Sequence, residues 1–255
     1  MRPPTASREL RVPISPRALI AVLVAAGVAL LVLSLASVVY KFEIEPGPHE
    51  TLMRVANLDQ EGGLGAWYES SLLLLCGVLM LLIAAVRRRD GAAYVRHWAF
   101  LGAVFVYLSI DEAAALHELT IEPLNDRLDA GGVLYFTWIV PAAVILLVLA
   151  ATYLRFLRAL APRTRALLLT AAALYIGGGM GFEAVTGLYA DQHDRDTLVY
   201  ALLTNVEEVL EMAGLLVLFG TLLSELAVGA PDATGEDAAR TPGRRGPALR
   251  PRELA

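Results

Sequence analysis

Residues 198–226 read LVYALLTNVEEVLEMAGLLVLFGTLLSEL. The stretch exceeds the about 20 apolar residues that cross a roughly 30 Å hydrocarbon core, and no proline interrupts it. Yet its first half holds Glu207, Glu208 and Glu211. An ionised side chain near the middle of a bilayer costs at least about 2.5–3.5 kcal/mol, so a helix keeps three of them only where they line a site inside a bundle. At about 100° per residue, Glu207, Glu211, Thr204 and Glu208 share an arc of about 100°, one polar face on an apolar helix. The stretch predicts a membrane-spanning helix with a functional face.

Five further apolar stretches of similar length lie at 18–40, 66–86, 97–118, 133–154 and 166–190. With 56% hydrophobic and 18% charged residues, the chain is too apolar for an ordinary soluble domain. The expected fold is all-α: a polytopic six-transmembrane-helix bundle over residues 18–226. A basic segment, 1–17, precedes it, and a tail rich in Gly, Pro, Ala, Asp and Arg, 227–255, reads as disordered. There is no P-loop, no dinucleotide-binding glycine pattern and no repeat of 20–50 residues.

Orientation follows from the basic residues, which concentrate in cytoplasmic segments. Seventeen of the 21 Lys and Arg fall in the segments before the first span, between the second and third, between the fourth and fifth, and after the sixth. Lys41, Arg54, Arg127 and Arg195 occupy the alternate loops. Both termini are therefore expected in the cytoplasm of a cell-membrane protein. The acidic excess, a formal net charge of -5, sits in the external loops and inside the bundle, so it names no partner. Nucleic acid is excluded as a partner, because the arginine runs flank helices and lack interleaved aromatics. Ser34-Leu35-Ala36 has the form of a signal-peptidase site, but the apolar run before it is too long for a signal sequence, and a retained first helix is expected. Cys76 is alone and reads as a small core residue.

Three other spans carry acidic residues: Glu69 after Trp67-Tyr68, Glu183 after Gly181-Phe182, and Asp111-Glu112 followed by His117-Glu118. Counting about 1.5 Å per residue from the outer ends puts Glu69 about 5 Å deep, Glu112 and Glu183 about 10 Å, Glu208 about 15 Å and Glu211 about 20 Å. His117 and Glu118 fall near the outer rim. Asp111-Glu112 and Glu207-Glu208 lie toward the same side, which excludes an inverted repeat of three plus three helices. In an unbroken third helix ending near Pro123, Asp111 and Glu118 point inward within about 20° of each other, with Glu112 and His117 flanking on opposite sides. Gly177-Gly178-Gly179, Gly181 and Gly187 in the fifth span allow close helix approach or a kink. The first external loop, 41–65, with Glu43, Glu45, His49, Glu50 and Asp59, reads as solvated.

Several carboxylates in a low-dielectric bundle bind cations or share protons, and no Lys or Arg lies deep in any span to neutralise them. The expected metal ligands are Glu69, Glu112, His117, Glu118, Glu183, Glu208 and Glu211. The i, i+3 spacing of Glu208 and Glu211 suits two ligands to one divalent ion, with Mg, Mn, Fe, Ca and Zn all compatible. Asp111 and Glu207 are the candidate general bases. Three functions follow in order: a metal-dependent enzyme acting on a membrane lipid or lipophilic substrate, a cation- or proton-coupled transporter, and a structural or sensory subunit. The lack of buried positive charge disfavours phosphate-headgroup chemistry.

Overall fold

A computed structural model describes residues 15–44, 50–128 and 130–228. The basic N-terminal segment up to residue 14 and the tail from residue 229 lie outside the described residues, as do Glu45 and His49. Among the described residues there are helices and turns and no strand. The long elements are α1 (Pro16–Val39), α3 (Leu64–Arg89), α4 (Val95–Ala114), α6 (Ile139–Ala159), α7 (Pro162–Ile176) and α9 (Leu198–Val228). Short helices α2 (Glu50–Ala56) and α5 (Ile121–Leu128) lie in connections, and α8 (Glu183–Gln192) continues α7 through a π-helical turn at Gly177–Phe182.

Five helical segments are long and apolar enough to cross a membrane: Pro16–Ile44, Leu64–Arg89, Ile139–Ala159, Pro162–Gln192 and Leu198–Ala227. There are six if Val95–Ala114 and His117–Asn125, bent by 73° at the break between them, form one span. Helices suit this setting because each satisfies its own backbone polar groups. Prolines open two of them without cost: Pro16 and Pro162 sit in the first turn, where no intrahelical partner is owed to their nitrogen.

α9 is the central helix, packed on α1, α3 and α7, while α4 lies along α3. The α3–α4 crossing is close because Gly77 meets Gly102: a Cβ on Gly77 would stand 3.0 Å from the Gly102 carbonyl oxygen. Ser70 and Ser109 tie the same pair, each hydroxyl donating to the other's carbonyl at 2.8 Å. Without a hydrophobic drive between helices in lipid, small residues and paired hydroxyls are what hold such a crossing.

The two ends of the bundle differ. Near the arginine-rich end, Cys76, Met80, Trp98, Phe156, Leu218, Phe219 and Leu222 form a dry core. Arg87 there pairs with Glu225 at 3.0 Å, and Thr164 donates to the other Glu225 oxygen at 2.6 Å, joining α3, α7 and α9. Toward the opposite end the core thins to Leu58, Tyr68, Leu72, Leu73, Met212 and Leu215, and the acidic residues begin.

Three sequence expectations need correction. The third apolar helix does not run to Glu118: it ends at Ala114, with Ala115 in the left-handed region at φ 52°. Pro123 ends nothing, since it lies in the first turn of α5, where proline is tolerated. The fourth helix starts at Ile139 rather than 133, which puts Pro141 in its first turn for the same reason, and it runs on to Ala159. The first external loop is not simply solvated. Asn57 and Leu58 are buried, the Ser34 hydroxyl donates to Asn57 Oδ1 at 3.2 Å, and the Leu58 N–H donates to Ser34 Oγ at 3.1 Å.

Candidate functional site

Four helices bring acidic side chains to the interior of the less apolar half. α3 supplies Glu69, α4 Asp111 and Glu112, α8 Glu183, and α9 Glu207, Glu208 and Glu211. Glu69 is 2% exposed, and its Oε1 has no hydrogen-bond partner within the protein. It lies within charge-repulsion range of Glu112 and Glu207, and Glu208 within range of Glu69, Glu112 and Glu211. Glu211 adds Glu183 to the set. Among the described residues, none of these six glutamates makes an ion pair with Lys, Arg or His.

Each position has a local cause. The π-helical turn at Gly177–Phe182 lets α9 come close: a Cβ on Gly178 would stand 2.7 Å from Glu211 Cγ and 2.9 Å from the Glu207 carbonyl oxygen. π-turns of this kind recur at functional positions in helices. Glu207 accepts from the Thr186 hydroxyl at 3.3 Å, one turn after Glu183 on α8. Glu183 accepts from the Trp138 indole N–H at 3.0 Å. Asn205, buried one turn before Glu208, donates to the Ala201 carbonyl and leaves its own Oδ1 without a partner.

The break after Ala114 rearranges the outer residues. His117 Nδ1 sits 3.1 Å from Asp111 Oδ2, and its Nε2 lies 3.8 Å from Glu61 of the first external loop. The imidazole also leans against the Trp138 ring at 5.2 Å. Asp111 Oδ1 is buried and without a partner. Because the helix is interrupted, the alignment of Asp111 with Glu118 along one straight face is lost. Glu118 is exposed, at the mouth beside Asp59, Glu61 and Glu183.

Sequence reasoning missed the mouth itself. Arg195 lies between the rings of Phe136 and Tyr200, 5.5 and 5.4 Å from their centroids, and faces Asp59. Lys41 pairs with Asp196 alongside. Burial pushes the Asp59 carboxyl up to about 7, with Arg195 pulling it down and Glu118 and Glu61 pushing it up. Burial also raises Glu61, with Glu118 adding to the effect and His117 opposing it. Tyr175, just before the glycine run and close to Glu211, Glu69 and Glu112, was missed too. A tyrosine in an apolar span gives no pattern to read, and Asp59 with Arg195 belongs to loops whose meeting is tertiary.

Of the expected metal ligands, Glu69, Glu112, Glu183, Glu208 and Glu211 thus gather in one acidic interior, His117 sits at its edge and Glu118 outside it. Among the described residues, no group of three or more His, Cys, Asp or Glu side chains is placed to hold a metal ion. A family model described as a domain of unknown function, DUF8692, matches residues 18–226. The chain belongs to the DUF8692 family. The match covers α1 to the last turn of α9, so every acidic residue of the site lies in the family domain. No curated protein and no solved structure matches the chain.

The arrangement limits the chemistry. Among the described residues, the six glutamates lie within charge-repulsion range of acidic neighbours with no lysine or arginine paired to them, while Arg195 and Lys41 stand at the mouth. Such a set is complete only with a bound cation or with shared protons. Two carboxylate oxygens of the set, Glu69 Oε1 and Asp111 Oδ1, have no hydrogen-bond partner within the protein.

Proposed function

We propose that the chain is a six-span cell-membrane enzyme whose carboxylate site holds a divalent cation and acts on a membrane lipid or another lipophilic substrate. Both termini lie in the cytoplasm in this reading, which the concentration of 17 of the 21 Lys and Arg in alternate segments of the sequence supports, and the site opens outward. The observation that carries it is Glu69: a carboxylate 2% exposed, among five other glutamates, with one oxygen unpaired. Leaving such an acceptor unsatisfied is costly, and a cation removes that cost.

Glu69, Glu112, Glu183, Glu208 and Glu211 would hold the ion, with His117 as the imidazole at the edge. Carboxylate-rich sites favour Mg, Mn, Fe, Ca or Zn over soft metals. A bound divalent ion polarises a substrate oxygen or lowers the pKa of water. Glu207, held by Thr186, accepts the proton, and Asp111 fixes the imidazole of His117. Trp138 holds Glu183 in place from α6.

A cation- or proton-coupled transporter would use the same carboxylates but needs a path through the arginine-rich half. There Cys76, Met80, Trp98, Phe156, Leu218, Phe219 and Leu222 fill the space. That filled half favours an enzyme. The test is turnover of extracted membrane lipids by purified protein in lipid nanodiscs, supplied with each divalent ion in turn. Metal-dependent product that disappears in Glu208→Gln is expected. Cation or proton flux in liposomes that vanishes in Glu211→Gln, without lipid turnover, would sink the enzyme in favour of the transporter.

A further inference from the structure

A shallow, open apolar groove of about 600 Å³ lies along α7 and its glycine turn, lined by Leu169, Ala172, Ala173, Gly177 and Met180, with Ile139, the first residue of α6, at one end. It lies on the flank of two membrane-spanning helices, so hydrocarbon has direct access to it. Its floor is the π-helical glycine turn. A Cβ on Gly177 would meet nothing within 4 Å, whereas one on Gly178 would stand 2.7 Å from Glu211 Cγ, and one on Gly179 3.1 Å from Glu211 Oε1. A single glycine-lined turn therefore separates open apolar space on one side from a carboxylate of the site on the other. At the outer end, Ile139 follows Trp138, whose indole holds Glu183. The groove thus borders the acidic site at both Glu211 and Glu183.

We infer that this groove takes the fatty-acyl chain of the lipid substrate, which reaches the carboxylates sideways from the bilayer past the glycine turn. The inference rests on the reading of the site as acting on a lipid. Elsewhere α6 turns outward side chains such as Val144, Ile145, Leu147, Val148 and Leu154 to lipid. In the groove, small residues make room for a chain, and the three glycines leave the least material between that chain and Glu211. A tail lying there places the polar end of its lipid toward Glu183 and the mouth.

The test uses the full chain in phosphatidylcholine nanodiscs that contain a small fraction of phosphatidylcholine with a diazirine on its acyl chain. After irradiation, adducts are mapped by peptide mass spectrometry. Adducts are expected to concentrate on Ile139 and residues 169–180 over the lipid-facing Val22 and Val28 of α1. Gly177→Leu, whose new side chain enters open space, should lower groove adducts several-fold and leave those on α1 unchanged. Ala173→Leu fills the groove from a regular part of α7 and should do the same should the glycine variant fail to fold. Equal adduct density on α1 and the groove, or groove adducts that survive both fillings, would overturn the assignment. Groove adducts retained in Glu208→Gln support the groove whatever that variant does to metal content, so the two readings fail separately.

Discussion

His117 Nδ1 lies 3.1 Å from Asp111 Oδ2, although the two are six positions apart in sequence. On a straight helix they would stand about 120° apart and about 9 Å along the axis. The contact exists because the helix stops at Ala114 and Ala115 turns left-handed, at φ 52° and ψ 41°, with the Leu116 N–H closing back on the Asp111 carbonyl at 3.3 Å. A left-handed residue other than glycine costs about 1–2 kcal/mol. Ala115→Gly should therefore raise the melting temperature of the detergent-solubilised protein by the equivalent of up to about 1 kcal/mol, and Ala115→Val should lower it. A drop with glycine would contradict the left-handed cap.

The glycine turn gives a sharper contrast between neighbours. Gly178→Ala forces a methyl within 2.7 Å of Glu211 Cγ and 2.9 Å of the Glu207 carbonyl, while Gly177→Ala meets nothing within 4 Å. Overpacking costs about 1–3 kcal/mol, so Gly178→Ala should destabilise by that much and reduce whatever the site binds. Gly177→Ala should be neutral or slightly stabilising, as removing a helical glycine is. Thermal shift of the two variants side by side checks this.

At the other end, Arg87, Glu225 and Thr164 join three helices where both charges are only partly buried. Between an exposed pair and a fully buried one, Arg87→Ala should cost about 1–2 kcal/mol. Because the arginine removal leaves Glu225 unpaired, Arg87→Ala combined with Glu225→Ala should cost less than the two single changes together. Additive losses in a denaturation cycle would show that the pair is not coupled. Lipid turnover should change little in any of them.

The mouth makes stability depend on pH. Burial, opposed by Arg195, holds the Asp59 carboxyl at about 7 against an unfolded value of about 3.9. A carboxyl raised on folding favours the folded state while protonated, fully below about pH 4, and loses that contribution as pH rises through about 7. Wild type should therefore lose stability between about pH 4 and 7 relative to Asp59→Asn. Arg195→Gln removes the attractive charge and should move that loss to higher pH. Superimposable pH profiles for wild type and Asp59→Asn would refute the assignment.

How far the sequence reached depends on whether a feature is local. The apolar runs and the acidic face of residues 198–226 were legible because length and helical phase are properties of one segment. The gathering of Glu69, Glu112, Glu183 and Glu211 also followed, since depth along parallel helices is simple counting. The break at Ala115 did not: alanine is the strongest helix former, and only tertiary packing overrides it there. Arg195 between Phe136 and Tyr200, with Asp59 opposite, joins three distant stretches and leaves no trace in any one of them. Thr186, Asn205 and Tyr175 were invisible for the converse reason: each is an ordinary residue in an apolar helix, and only its neighbours give it a role.

The central claim is that the carboxylates of α3, α4, α8 and α9 hold a divalent cation, and elemental analysis of purified protein addresses it most directly. Wild type, Glu208→Gln and Glu211→Gln would be equilibrated with a mixture of Mg, Mn, Fe, Ca and Zn, desalted and measured together. At least one bound divalent ion per chain is expected in wild type and a loss of it in both variants. Wild type without stoichiometric metal, or equal content in all three proteins, would contradict the claim.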